Sequence, residues 1–159
     1  MKLTWADLII DFTNLNVLHL YESWNWLLDG KFRPIMMSTF GDLFYQKEDG
    51  KIYYLDTIEG HESCIADSEK GFVDFINVVE NQENYLLSFL VFELKDKGLN
   101  ITENQCYGFK IAPILGGKIE FENVEVMDLA VWLHIIGQIH FQVKDLPEGT
   151  EITEFKIIE

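Results

Sequence analysis

The chain has 159 residues and a mass of 18.6 kDa, is 48% apolar and 14% aromatic, and carries a formal net charge of −15 from 27 acids against 12 bases. That length and apolar content suit a single domain, residues 1–159, with a substantial core, and they exclude a disordered chain. The charge repels phosphates and anionic lipid, which argues against direct nucleic-acid or membrane binding and leaves two readings, a solubilising surface or one complementary to a basic partner.

Thr4-Trp5-Ala6-Asp7 has the form of a capping box, and Trp5, Leu8, Ile9 and Phe12 follow it at helical spacing. Asn14 and Asn16 break this short amphipathic helix, and Leu20, Trp24, Leu27 and Leu28 predict a second one ending before Gly30. Residues 1–30 therefore read as a helical N-terminal extension. From residue 32 the pattern changes to short runs with turn punctuation, and 35–39, 42–46, 51–56 and 62–66 read as strands of an antiparallel meander. Asp49-Gly50 marks a hairpin and Glu59-Gly60 a further turn.

Asp67 or Ser68 caps the next helix, which carries Phe72, Phe75, Ile76 and Val79 on one face. Polar residues 80–84 separate it from a helix with Leu87, Leu90, Val91 and Leu94 that stops at Gly98. Residues 107–111, 118–121 and 124–127 read as strands, with Gly116-Gly117 as a turn and Gly108 as a bulge or a point of tight packing. The last helix, 129–144, is apolar on nearly all sides, which predicts deep burial. Gly137 within it costs roughly 1 kcal/mol relative to Ala, so another backbone is expected to approach closely there. The expected class is α+β: an antiparallel sheet of meander and hairpin strands packed with several helices, including a buried C-terminal one.

Little in this sequence points to chemistry. His134 and His140 lie six positions apart, so on a helix they diverge by about 120° and cannot clamp one metal ion. His61, beside Glu59, Glu62 and Cys64, reads as part of a solvated turn. No Ser stands in a nucleophile elbow, Gly116-Gly117 lacks the Lys-Ser/Thr of a phosphate loop, and the acids at strand ends have turn and cap duties. No catalytic residue, metal ligand or cofactor is expected. Cys64 and Cys106 show no metal or redox spacing and read as buried, reduced thiols. Asp7 and Asp11 interrupt any signal-peptide core and no apolar run reaches ~18 residues, so a cytoplasmic location is expected.

Several separated segments resemble the C-terminal domain of type VI secretion immunity proteins: Phe40–Tyr45 (FGDLFY), Ile52–Thr57 (IYYLDT), Gln105–Gly117 (QCYGFKIAPILGG) and residues 123–150 with their IGQIH and KDLP pieces. The resemblance covers residues 35–152 and preserves the order and spacing of these segments. It implies an α+β domain that binds a co-encoded antibacterial effector, a DNase in the best-known case, and holds it inactive in the producing cell. Many relatives carry a longer domain ahead of this one.

The leading expectation is thus a non-enzymatic immunity protein whose partner is a cognate toxin. The alternative is a small-ligand-binding or regulatory module of the same fold, which would show a concave apolar pocket with convergent polar groups. For partner contacts, exposure and charge single out the predicted hairpin and the loop after it: Glu48, Asp49, Glu59 and Glu62, with Tyr45 and Tyr53 as anchors. Cross-strand aromatic pairing explains the two tyrosines equally well.

Overall fold

The computed structural model describes residues 1–159, and its class is α+β. The N-terminal helices are shorter than their periodicity suggests. Helix α1 (Trp5–Leu8) ends where Ile9 leaves it to bridge to Ser38, and α2 (Val17–Leu20) is followed by a 3-10 turn, Glu22–Trp24. Thr4 and Asp7 do form the capping box, with the Thr4 amide donating to the Asp7 carboxylate at 2.7 Å.

Strands β1 (Phe32–Met37), β2 (Leu43–Lys47), β3 (Ile52–Asp56) and β4 (His61–Ala66) form the antiparallel meander, in the order β1-β2-β3-β4. Gly50 and Gly60, with φ of +80° and +77°, close its last two turns in the left-handed conformation. The β2–β3 register sets Phe44 opposite Tyr54 and Tyr45 opposite Tyr53, and both pairs stack, with centroids 4.8 and 6.1 Å apart. On edge strand β1 the register slips between Pro34 and Met36. A residue without an N–H is tolerated at such an edge.

Three helices follow: α3 (Glu69–Ile76), α4 (Val79–Leu86) and α5 (Ser88–Asp96). Ser68, not Asp67, caps α3, its hydroxyl accepting from the Gly71 amide at 3.0 Å. Residues 80–84, expected as a polar spacer, belong to α4, because Tyr85 anchors that helix against Phe44, Tyr54 and Phe75 while its polar side chains face water. Helices α4 and α5 meet without a linker at Leu87, whose φ is +52°. A side chain in that conformation costs roughly 1–2 kcal/mol. The Glu83 carboxylate supports the joint by accepting from the Phe89 amide at 2.7 Å and the Ser88 hydroxyl at 3.2 Å.

Strands β5 (Gln105–Phe109) and β6 (Val124–Asp128) pair as a separate two-stranded sheet and lead into α6 (Leu129–Val143), capped by Asp128. Residues 118–121, expected as a strand, are not one. The connection between β5 and β6 is stitched instead by the Asn123 side chain, which accepts from the Ile111 amide at 3.0 Å and donates to the Ile111 and Lys118 carbonyls at 2.8 Å. Gly108 makes no bulge; its missing side chain admits Met127 and Trp132. The core is one cluster of 27 buried residues drawn from the N-terminal segment, both sheets and the helices. Cys106 is buried and Cys64 exposed, both free, so the expectation of two buried thiols holds for Cys106 only. No helix is long and apolar enough to cross a membrane.

Helix α6 lies on the 3-10 turn, whose Trp24 is fully buried and donates from its indole to the Leu133 carbonyl at 3.1 Å. A Cβ at Gly137 would stand 2.8 Å from the Ser23 carbonyl oxygen and 2.9 Å from the Trp24 indole nitrogen. This is the close backbone approach expected at Gly137. Helix propensity alone would favour Gly137→Ala by about 1 kcal/mol, whereas overpacking costs typically about 1–3 kcal/mol and displacing Trp24 adds to it. Gly137→Ala should therefore lower the midpoint of urea unfolding, and an unchanged or higher midpoint would show that the contact yields freely.

Candidate functional site

The six residues singled out from sequence do not form one surface. Tyr45 is fully buried, its hydroxyl donating to the Glu62 carboxylate, which also takes the Lys47 ammonium at 2.8 Å. Burial first, and then this bond, push the Tyr45 hydroxyl well above its ordinary pKa. Glu62 is thus engaged inside the sheet. Tyr53 is half-buried; its hydroxyl donates to Asp49 at 2.6 Å, and Lys47 lies over its ring, 4.1 Å from the centroid. That hydrogen bond holds Asp49 below the usual carboxylate range, helped by the Lys51 amide, and pushes Tyr53 up to about 12. Glu48 and Asp49 are exposed at the β2–β3 turn. Glu59 is exposed at the β3–β4 turn, the other end of a five-residue strand and so about 17 Å away. Glu48, Asp49 and Tyr53 make one small acidic corner; Tyr45 and Glu62 adjoin Tyr53 but are engaged within the sheet, and Glu59 lies at the far turn.

The larger exposed feature is on α4 and α5. Phe89 and Val79 are 68% and 65% exposed and Phe92 40%, although all three are large and apolar. With Trp5, Leu3 and Leu8 they line an open groove of about 350 Å³ between α1 and α5. The Asp7–Lys95 ion pair, 3.2 Å long, links the same two helices. Single exposed apolar residues are ordinary, but a contiguous set rimmed by charge marks an interaction surface. The signal was present in the sequence: Phe89 and Phe92 fall off the Leu90-Val91-Leu94 stripe that packs α5, so a helix there must turn them outward.

Beneath the sheet lies a buried polar network. Asp42, in the β1–β2 turn, accepts from the Thr57 amide at 2.8 Å, the Thr57 hydroxyl at 2.6 Å and the Ser38 hydroxyl at 3.1 Å. The Thr57 carbonyl in turn accepts from His140 Nε2 at 2.9 Å, and the imidazole fills the space that a Cβ on Gly60 would need. Burial and the nearby Asp56 raise Asp42 to about 7 against the pull of its donors, and burial lowers His140. No substrate could reach these groups from solvent. The Ser23–His134 contact, 2.6 Å from hydroxyl to Nδ1, has its second ring nitrogen against the Ile158 carbonyl rather than the carboxylate of a Ser-His-Asp triad. No three His, Cys, Asp or Glu side chains converge as metal ligands would.

Residues 66–140, a little under half of the chain, match the family described as T6SS immunity protein Tdi1, C-terminal. The likeness to the Tdi1 type is to this stretch and not to the whole chain. The stretch is narrower than residues 35–152 and runs from the end of β4 to His140, so it includes α3, α4, α5 and most of α6. No curated protein matches the chain. Among solved structures, Atu4351 from Agrobacterium tumefaciens is similar, with 19% identity and a TM-score of 0.48 over 77% of this chain. The present chain spans 61% of that one's length.

Phe89, Phe92 and Val79 lie inside the Tdi1-type stretch, whereas the acidic corner of the hairpin lies outside it. The buried network crosses the boundary, joining Asp42 before the stretch to His140 at its end. Its two titrating groups act in opposite directions. Asp42 has a folded pKa of about 7 against 3.8 for the free side chain, so the folded state takes up the proton and stability falls as pH rises through that window. His140 is held below its usual 6.5, so stability falls as pH drops below that value. Asp42→Asn should therefore gain stability relative to wild type as pH climbs from about 4 to about 7, measured as urea midpoints at successive pH values. A wild-type-minus-variant difference that stays flat across the window would mean that Asp42 is ionised throughout.

Proposed function

We propose that the chain is a non-enzymatic immunity protein that binds a cognate type VI effector in the cytoplasm of the producing cell and holds it inactive, and that this effector is a DNase with a basic active-site cleft. The single observation that carries the reading is the exposed apolar face of Phe89, Phe92 and Val79 within the Tdi1-type stretch of a chain with net charge −15. A monomer with no partner has no use for two outward phenylalanines on adjacent turns of a helix. The work divides by range. The acidic field, including Glu48, Asp49 and Glu59, draws in a basic protein over a Debye length, while the buried aromatics resist dissociation once contact is made.

Co-expression with the product of the adjacent upstream gene tests the reading directly: survival together with a purifiable complex supports it, and a harmless, non-binding product sinks it. In that complex, Phe89→Ser with Phe92→Ser should weaken binding at least about 30-fold, or about 2 kcal/mol, without moving the thermal midpoint of the free chain. Glu48→Gln, Asp49→Asn and Glu59→Gln together should slow association several-fold at low salt and leave dissociation nearly unchanged. Dissociation accelerated by the acidic variants, with the phenylalanine variants inert, would move the contact from α5 to the hairpin.

A further inference from the structure

After α6 the chain turns at Leu146 and again at Thr150, and then runs back antiparallel along the helix it has just left. No main-chain bond to a strand or helix holds residues 151–159. Two glutamines hold them instead. Gln142 accepts from the Lys156 amide at 2.9 Å and donates to the Lys156 carbonyl, and Gln138 accepts from the Ile158 amide at 2.6 Å and donates to the Ile158 carbonyl at 2.8 Å. Each carboxamide therefore satisfies both main-chain groups of one residue, as a neighbouring strand would. The spacing is general: four residues of helix rise about 6.0 Å and two residues of extended chain about 6.6–6.8 Å, so a Gln-x-x-x-Gln stripe meets alternate residues of any extended segment. One turn further on, His134 Nε2 also meets the Ile158 carbonyl, which can only accept, while Nδ1 faces the Ser23 hydroxyl.

The resident segment fills this seat poorly. Phe155, Ile157 and Ile158 remain 41%, 36% and 75% exposed. A cleft of about 480 Å³ stays open beside Lys156, walled by Trp26 and Phe141. A second cleft, about 360 Å³, continues past Glu159 along Ala130 and Val131.

We propose that the His134–Gln138–Gln142 stripe of α6 is a peptide-binding site that reads the main chain of an extended segment of a partner protein, and that residues 155–159 occupy it as an internal competitor. The partner segment is extended, has free N–H and C=O groups on alternate residues, and carries a large aromatic side chain for the Trp26–Phe141 cleft. The site is separate from the α5 face, and the proposal does not depend on the effector.

The test uses the full chain and two dye-labelled peptides, residues 153–159 and the same sequence with Lys156→Trp. Saturable binding is expected for both in fluorescence anisotropy, at least about tenfold tighter for the tryptophan peptide. Gln138→Ala with Gln142→Ala in the protein should weaken binding about tenfold or more, with the helical circular dichroism unchanged. Lys156→Pro in the protein removes the amide that Gln142 reads, frees the seat without truncation, and should strengthen binding of the added peptide several-fold. Absence of saturable binding to both the intact chain and Lys156→Pro overturns the proposal, as does binding indifferent to the glutamines or to the tryptophan. A dimer of the intact chain that Lys156→Pro abolishes would assign the seat to a second copy and overturn it as well.

Discussion

The turn from Ser38 to Asp42 is where the separate parts of this molecule are tied together. Its residues are buried, and although the Thr39 hydroxyl has no partner, three of its other polar groups bond to three different elements. Tyr21 donates to the Gly41 carbonyl at 2.7 Å, the Tyr107 amide to the Thr39 carbonyl at 2.8 Å, and Thr57 to the Asp42 carboxylate. The N-terminal segment, the second sheet and the far turn of the meander are thereby fixed to one five-residue loop, with Phe40 packed between Tyr107 and Phe109. A buried polar group left unpaired costs about 1–3 kcal/mol, so these links are satisfied together or lost together. His140 extends the same chain of bonds to α6 through the Thr57 carbonyl. The exposed faces on either side are consequently presented by a frame with little freedom to shear.

Much of the fold was legible because local chemistry agreed with the final structure. Asp49-Gly50 and Glu59-Gly60 marked turns that need positive φ, Ser68 marked a cap, and the unbroken apolarity of α6 marked burial. The failures have a common cause in tertiary contact. Residues 80–84 read as polar spacing because α4 is anchored at its C-terminal end by Tyr85 and the fully buried Leu86, and two adjacent residues leave no periodic trace. Residues 118–121 alternate like a strand, yet Asn123 supplies the hydrogen bonds that a partner strand would have given. The site was less legible than the fold. Alternation turns Tyr45 to one face of β2 and Phe44 to the other, but it carries no information about what covers each face, and both residues are buried. Phe89 and Phe92 were readable in principle, as apolar residues off a helix's packed stripe, whereas an acid-rich chain offers so many exposed carboxylates that charge alone cannot select among them.

The division between a neutral aromatic face and a dispersed acidic field suits a binder whose target is basic. Long-range attraction is weakly directional and can come from carboxylates anywhere on the surface. Short-range affinity needs desolvated, rigid side chains, and Phe89 and Phe92 lose little entropy when covered.

The margins of the four-stranded sheet bear on how the protein behaves in bulk. At one margin β1 carries Pro34 and a slipped register, which interrupts the row of free amides; at the other, α3 packs along β4. The β1 margin does not offer the flat, unpaired strand on which another chain could template. Any protein that acts mole for mole on a target would have to accumulate to at least that target's level, and crowding of that kind selects against sheets that stack edge to edge. The slipped β1 margin together with mutual charge repulsion opposes coalescence of neighbouring copies.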